Sequence, residues 1–448
     1  MNKETIILSP YVPADTKRTV LYVAPEGGHR PINGKFPLMP FLYSSWEYEE
    51  LSYYDNCYIH SGLNPFLYDY YKGKDFLRLL NDFTVNTFHN FPIGKARHAI
   101  QCNDAGKIDM DGIVIRLAED EFLTMCLSLS PILEANKDKY DIIHEDKSQD
   151  LFIYQMCGPR SLEVVEAAAE EDLHDIKFMY SRNAVIAGKK VLVLRTGMAG
   201  TLGYEVHGKL EDAIEVYTRL LEVGKEFGIT EIGRHTYRNT HTEGSIPQGS
   251  IHFNYAQSVN YADEGTKPLI CGSIARDSEL IYRSPYDVGW GKMIRFDHDF
   301  PGKEALIAER DRHHNECVHL IWNKDDVLKV LATAFEPGNS CDTMDMVEDY
   351  DYILRTNTIH IDEVYDGDKL IGAVSGRMLS PKTREMISIC TIDEDYAVEG
   401  KEVDILWGNP GTRQMRIRAE VRLFPYIRED RNEDFDVERI PHRYPVKG

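Results

Sequence analysis

Residues 195–208 read RTGMAGTLGYEVHG, and residues 225–247 read KEFGITEIGRHTYRNTHTEGSIP. The stretch they bound, Arg195 to Pro247, decides the fold. Four glycines (Gly197, Gly200, Gly203 and Gly208) surround the pair Tyr204–Glu205. Glycine takes left-handed backbone at no steric cost and lets a chain pass close to a ligand. The apolar run KVLVLRT (190–196) predicts a strand entering this bend, and Tyr204–Val206 a strand leaving it. Glu205 thus stands beside a crowded turn. An ionised carboxylate there can accept two hydrogen bonds from the N–H edge of a flat heterocycle.

Outward from this bend, the chain reads as mixed α and β. Residues 211–227 predict a helix with Ile214, Tyr217, Leu221 and Gly224 on one face, acids at its start and Gly228 at its end. Ser44 and Glu47 have capping-box spacing for a helix running to Asp55. Residues 73–83 repeat apolar side chains at helical spacing, and a further helix is expected over 161–170. Residues 94–115 form two alternating strands about the turn Asn103–Gly106. From about Cys317 the pattern changes to short strands split by turns, Asp366-Gly367-Asp368 among them. The expected divisions are an irregular N-terminal arm over 1–40, a two-subdomain α/β region over 41–312, a β-barrel over 313–430 and a charged tail over 431–448. Residues 253–277 read as an irregular insertion.

A chain of 448 residues has ample core for several domains. Its net charge of −22 argues against nucleic acid or an anionic membrane as partner. It carries no apolar run long enough to span a bilayer, and its start lacks a signal-peptide layout, so a cytoplasmic setting is expected. The eight cysteines are scattered without a CxxC pair and predict buried, reduced thiols. No metal ligands are assigned. His313–His314 reads as a solvated helix end.

Thr196–Gly208 follows the pattern T-G-x-x-G-x-x-G-x-E-x-x-G, and Gly233–Gly244 supplies a short G…E-G segment. The chain resembles the folate-binding family of the glycine cleavage T-protein. Within that family GMAG (197–200), KEFG (225–228) and PYDVGWG–FDHDFPGKEAL (285–306) are similar to the tetrahydrofolate-dependent aryl O-demethylases of the vanillate and syringate type. The resemblance implies an α+β fold of two mixed α/β subdomains around a central cleft, with a C-terminal antiparallel β-barrel. It implies tetrahydrofolate as cofactor, Glu205 reading its pterin, Asp111 near its amine edge, and Tyr204 and Trp290 lining its site. Of the two adjacent acids that follow the hairpin turn in the family, the first falls on Met110 and only Asp111 is kept, which disfavours aminomethyl transfer. The position of the family arginine falls on Tyr237, which in the demethylase branch is the catalytic tyrosine. A phenol O–H aimed at a departing phenolate lowers the barrier to ether cleavage.

The substrate positions depart from that branch. Its histidine falls among Leu63–Pro65, its arginine on Leu127 and an arm tyrosine on Phe36, while Ser245 and Ile246 stand where an aromatic is missing. A pocket without that cation pair suits an uncharged methoxy-aromatic donor. Arg97, His98 and Arg238 are the candidate replacement cations. The expected reaction moves a methyl group from a small-molecule donor to tetrahydrofolate, giving 5-methyltetrahydrofolate and a phenol. A sulfonium or amine donor, and a non-catalytic folate-binding protein, stay open, as does the choice between monomer and homodimer.

Overall fold

A computed structural model describes residues 6–8, 21–23, 36–61, 67–249, 251–256, 269–348 and 358–446. The expectations for Leu63–Pro65, for most of the arm and for residues 257–268 lie outside these residues. The arm is not wholly irregular: β1 (Ile6–Leu8), β2 (Leu21–Val23) and β3 (Phe36–Leu42) form a three-stranded sheet in the order β1-β3-β2.

Helix α1 (Trp46–Asp55) leads into β4 (Cys57–His60), a strand buried along its whole length. The cap of α1 is Ser45, one residue later than expected, and no box with Glu47 forms. Glu49 instead turns back to accept from the backbone N–H of Tyr43 and Ser44. Strand β4 is central to a six-stranded sheet. Its other members are β10 (Leu151–Cys157), β11 (Ser181–Ile186), β12 (Lys189–Leu194), β13 (Gly203–Lys209) and β14 (Ile229–Ile232), in the order β11-β12-β13-β10-β4-β14. One face packs on α4 (Ser161–Ala169) and α5 (Ala213–Gly224) through Tyr154, Met156, Tyr204, Val206, Leu162, Val165, Val216 and Leu220. Burial of this kind contributes roughly 1.5–3 kcal/mol for each large apolar side chain. The buried residues of α5 are Ala213, Val216, Tyr217, Leu220 and Gly224, so Tyr217 and Gly224 of the expected face are buried while Ile214 is 40% exposed. A 3₁₀ turn over Leu210–Asp212 precedes α5.

The hairpin over 94–115 forms as β6 (Ala96–Cys102) and β7 (Ile108–Arg116). With β5 (Tyr68–Lys72), β8 (Glu121–Met125) and β9 (Ile143–Asp146) it makes a second sheet, in the order β6-β7-β8-β5-β9, backed by α2 (Phe76–Phe83). Tyr68, Ala96, Ile115, Leu123, Met125, Ile153 and Leu194 form an apolar cluster between the two sheets. After a short helix α3 (Ser130–Ala135), and with α7 (Lys303–Arg312) as hinge, the chain reaches a closed barrel. Its strands are β16 (Asn315–Trp322), β18 (Asp362–Asp366), β19 (Lys369–Leu379), β20 (Met386–Asp393), β21 (Glu402–Trp407) and β22 (Met415–Leu423). Helix α8 (Lys324–Ala332) packs on the barrel core around Trp322 and Trp407. Among its described residues the insertion includes a short strand, β15 (Leu269–Cys271), paired with β17 (Thr358–His360).

Two further differences matter for the site. Residues Arg234–Glu243 are a helix, α6, almost wholly buried although nearly every residue in it is polar. The tail does more than run over the surface. Asn432 is buried, and its backbone N–H donates to Gly200 O, while Arg195 donates to Asn432 and Phe435. Among the described residues, no helix is long and apolar enough to cross a membrane.

Candidate active site

Register builds the site. In β10, Gln155 pairs with His60 of β4 on one side and Glu205 of β13 on the other. Directly opposed residues in a sheet share a face. His60, Gln155 and Glu205 therefore form one row, on the face opposite to α4 and α5. The Gln155 amide donates to Glu205 Oε1 (2.5 Å). His207, two residues along the same face, accepts at Nδ1 from the Tyr68 hydroxyl (2.6 Å) and brings Nε2 to 3.2 Å from Glu205 Oε2. That approach is out of line, so Glu205 Oε2, Gln155 Oε1 and His207 Nε2 are buried without a hydrogen-bond partner. Such atoms are expensive to leave unmet in a folded protein.

Tyr237 lies in the first turn of α6 and lays its ring on His60, with centroids 4.0 Å apart and planes 7° from parallel. His241, one turn later, meets the same ring edge-on at 4.9 Å. Helix α6 is aimed by Glu49, whose Oε2 accepts from Gly233 N–H and Thr236 Oγ1, both at 2.8 Å, at the positive end of the helix. Burial pushes the Tyr237 phenol well above its ordinary value, and Glu205, Cys126 and Cys157 add to the rise, while the Gln155 side chain beside it opposes it. Burial lowers His60 to about 3, so its ring is neutral, with Nδ1–H donating to Ile232 O (3.2 Å).

The second wall comes from the hairpin. Asp111 in β7 accepts from His98 Nε2 (2.7 Å) and from the Tyr255 hydroxyl (2.6 Å). Trp290 meets His98 edge-on at 4.7 Å and so stands behind the ring that holds Asp111. Between the walls lies Cys126, with φ of 61° just past the end of β8. It has open surface, yet protein surrounds it, and burial with Asp111 and Glu205 pushes its thiol up to about 12. Asp111, Glu205 and Tyr237 all lie near Cys126, the first two raising its thiol and the third being raised by it.

A family model described as the GCVT N-terminal domain matches residues 67–251. A sesamin methylene transferase from Sinomonas sp. is 39% identical over 428 residues, covering 91% of this chain and 94% of that protein. The chain belongs to the glycine cleavage T-protein (GCVT) family. A syringate O-demethylase from Sphingobium sp. is 28% identical, with 87% and 90% covered. An aminomethyltransferase from Thermoanaerobacter pseudethanolicus is 24% identical, with 75% and 79% covered. The fold matches the crystal structure of the glycine cleavage system aminomethyltransferase T from Bartonella henselae with a TM-score of 0.67, at 16% identity, over 95% of this chain and 99% of that one.

The motif that marks this GCVT chain does its work differently from expectation at several points. A Cβ on Gly197 or Gly203 would meet Cys157 Sγ at 2.5 or 2.8 Å, so these glycines let the loop pack on β10 rather than on a ligand. Tyr204 alternates away from Glu205 and is buried in the helix-facing core, so it is not a cleft residue. Leu127 is buried in the cluster around Tyr71, Phe76 and Phe122, while its neighbour Cys126 is exposed and lies near Asp111 and Glu205. Ser245 gives its hydroxyl to the barrel, bonding His319 Nε2 (2.9 Å) and accepting from Tyr426 N–H (2.7 Å), so it is a junction and not a pocket wall. Ile246 is half-buried and donates its N–H to His241 O. Of Phe36, only the backbone place at the start of β3 is described. Arg97 is spent on the carbonyls of Thr87 and Asn90, and His98 on Asp111. Arg238 is buried on α6. Residues missed from the sequence are His60, Gln155, His207 and Cys126.

Proposed function

We propose that this chain is a tetrahydrofolate-dependent O-demethylase that takes a methyl group from an uncharged methoxy-aromatic donor and releases a phenol. The observation that carries the reading is the Tyr237 phenol, stacked on neutral His60 at the end of the Gln155–Glu205 row. The residues present fit the cofactor. Glu205 Oε2 and Gln155 Oε1 are buried acceptors lacking donors, which is what the N–H edge of a pterin supplies. Tetrahydrofolate, when bound, provides the amine nitrogen that accepts the one-carbon unit. Glu205 and Gln155 would orient it, and Asp111, held by His98 and Tyr255, would face its amine edge.

Tyr237 stays protonated because its phenol is held well above the ordinary value. It is therefore a weaker acid than the phenol that leaves. It stabilises the developing phenolate through a hydrogen bond, and solvent completes the proton transfer. His60 fixes the plane of the Tyr237 ring and, being neutral, adds no competing charge. The commitments of Arg97 and His98 support an uncharged donor.

A second reading is methylene rather than methyl transfer from an aryl ether, as the name of the Sinomonas relative suggests. The retained, doubly held Asp111 favours it, because transfer at the formaldehyde level needs proton handling at the amine edge. An anaerobic donor screen with tetrahydrofolate decides between them, reading 5-methyl and 5,10-methylene products by chromatography. Methyl transfer from a neutral methoxyarene, reduced at least about 100-fold in Tyr237→Phe, is the expected result. Methylene product from a methylenedioxyarene, lost in Asp111→Asn, selects the second reading. Transfer from a sulfonium or amine donor indifferent to Tyr237→Phe, or folate binding without transfer, overturns both.

A further inference from the structure

Away from the cleft, residues far apart in sequence converge beside α4. His442 of the tail stacks on His174 with ring centroids 3.8 Å apart. Both rings turn Nδ1 towards Asp172 Oδ2, at 2.5 Å from His442 and 3.2 Å from His174. Glu166 Oε1 lies 2.8 Å from His174 Nδ1, and its Oε2 is buried with no hydrogen-bond partner. The outer nitrogens are engaged elsewhere: His174 Nε2 faces Ile440 O at 3.1 Å, and His442 Nε2 faces Glu438 Oε2 at 3.2 Å.

This arrangement poses a charge problem. With Nε2–H donating outward, each neutral imidazole points an Nδ1 lone pair at carboxylate oxygens. A cation placed between the two nitrogens and the carboxylate oxygens removes that opposition. One divalent cation meets all the lone pairs at once. With two neutral imidazoles and two carboxylates, it leaves the buried site uncharged overall, the condition under which a buried ion is tolerated. Ligand histidines characteristically donate their second nitrogen to a carbonyl or carboxylate, as both do here.

We propose that Asp172, His174 and His442, with Glu166, form a site for one divalent transition ion of the zinc type. The ligand atoms of the first three lie within 4.8 Å of one another. Zinc bonds of about 2.0–2.1 Å require neighbouring ligand atoms about 3.3 Å apart in a tetrahedron, so binding widens the 2.5 Å Asp172–His442 contact by about 0.8 Å and leaves the 3.2 Å Asp172–His174 contact almost unchanged. The His442 side chain is 35% exposed and gives the ion an entry path, while Asp172 and His174 are closed to solvent. Asp172 and His442 are 270 residues apart, which is why no spacing motif marks the set. The site does not depend on the folate reading. The ion would fasten the tail to the body of the protein.

The test uses the full chain, stripped with a chelator and titrated with zinc and cobalt(II). The expected result is about one equivalent bound, a tetrahedral cobalt absorption band, a raised melting temperature, and slower tryptic cleavage after Arg439 and Arg443. His442→Ala should weaken zinc binding more than about 100-fold and Glu438→Gln about 10-fold, as loss of an outer partner does. His313→Ala, at a separate exposed cluster, should leave it unchanged. No binding by the wild-type chain, or binding that survives His442→Ala and Asp172→Asn, overturns the proposal.

Discussion

We expect Glu205 and Tyr237 to divide the work of the proposed site, and their substitutions to fail in different ways. Glu205→Gln keeps the shape of the row but removes the charge that a pterin N–H edge pairs with. Hydrogen bonds to charged groups contribute roughly 1.5–3 kcal/mol, so folate affinity should fall about 10–100-fold in calorimetric titration. An unchanged dissociation constant would reassign Glu205 to the packing of the sheet. Tyr237→Phe should leave that constant alone and lower kcat by about 10²–10³, measured at saturating folate. Both residues were singled out from the sequence because each sits in a contiguous motif. His60 and Gln155 were not, since their meaning comes from β10 register, which joins positions separated by about a hundred residues. Tyr204 was misassigned for a related reason: a neighbour in an extended strand points to the other face. Leu127 was misassigned because β8 ends at Met125 and Cys126, with φ of 61°, turns the chain before it.

Helix α6 shows why an element can hide from its own sequence. A helix is usually read from an apolar stripe, and α6 has none, because it buries polar groups on every side. On its α1 side, Glu243 and Glu50 are buried together with Asn239, and no carboxyl oxygen of the pair has a regular hydrogen bond. Burial and the mutual repulsion of the pair hold Glu50 well above its ordinary 4.5, and burial also raises Glu243. The folded state therefore grips protons that the unfolded state gives up above that value. The associated stability is complete below pH 4.5 and is lost as pH rises through the raised values. Glu50→Gln should flatten the fall in melting temperature between pH 5 and pH 8, by on the order of 1–2 °C for each kcal/mol recovered. Scanning calorimetry at the two pH values reads this directly. An equal slope in wild type and variant would show that the pair stays ionised.

At the scale of the whole molecule, the barrel was legible from its turns, but the bracing between its parts was not. Asn432 joins the tail to the glycine loop: its N–H reaches Gly200 O, its side-chain amide lies 3.4 Å from Gly203 O, and its Oδ1 accepts from Arg195. Asn432→Ala should cost about 1–3 kcal/mol, since it leaves a buried guanidinium and a carbonyl short of partners. The expected outcome is a lower denaturation midpoint together with weaker folate binding. A lower midpoint with unchanged binding would confine the brace to stability. Arg195 and Asn432 are 237 residues apart. On the ribosome, the loop beside Glu205 is therefore made long before the segment that holds it. A nascent chain can complete both sheets and most of the barrel while this loop still lacks its support. Folate then has a finished site to enter only once residue 432 has been made and has docked on the loop.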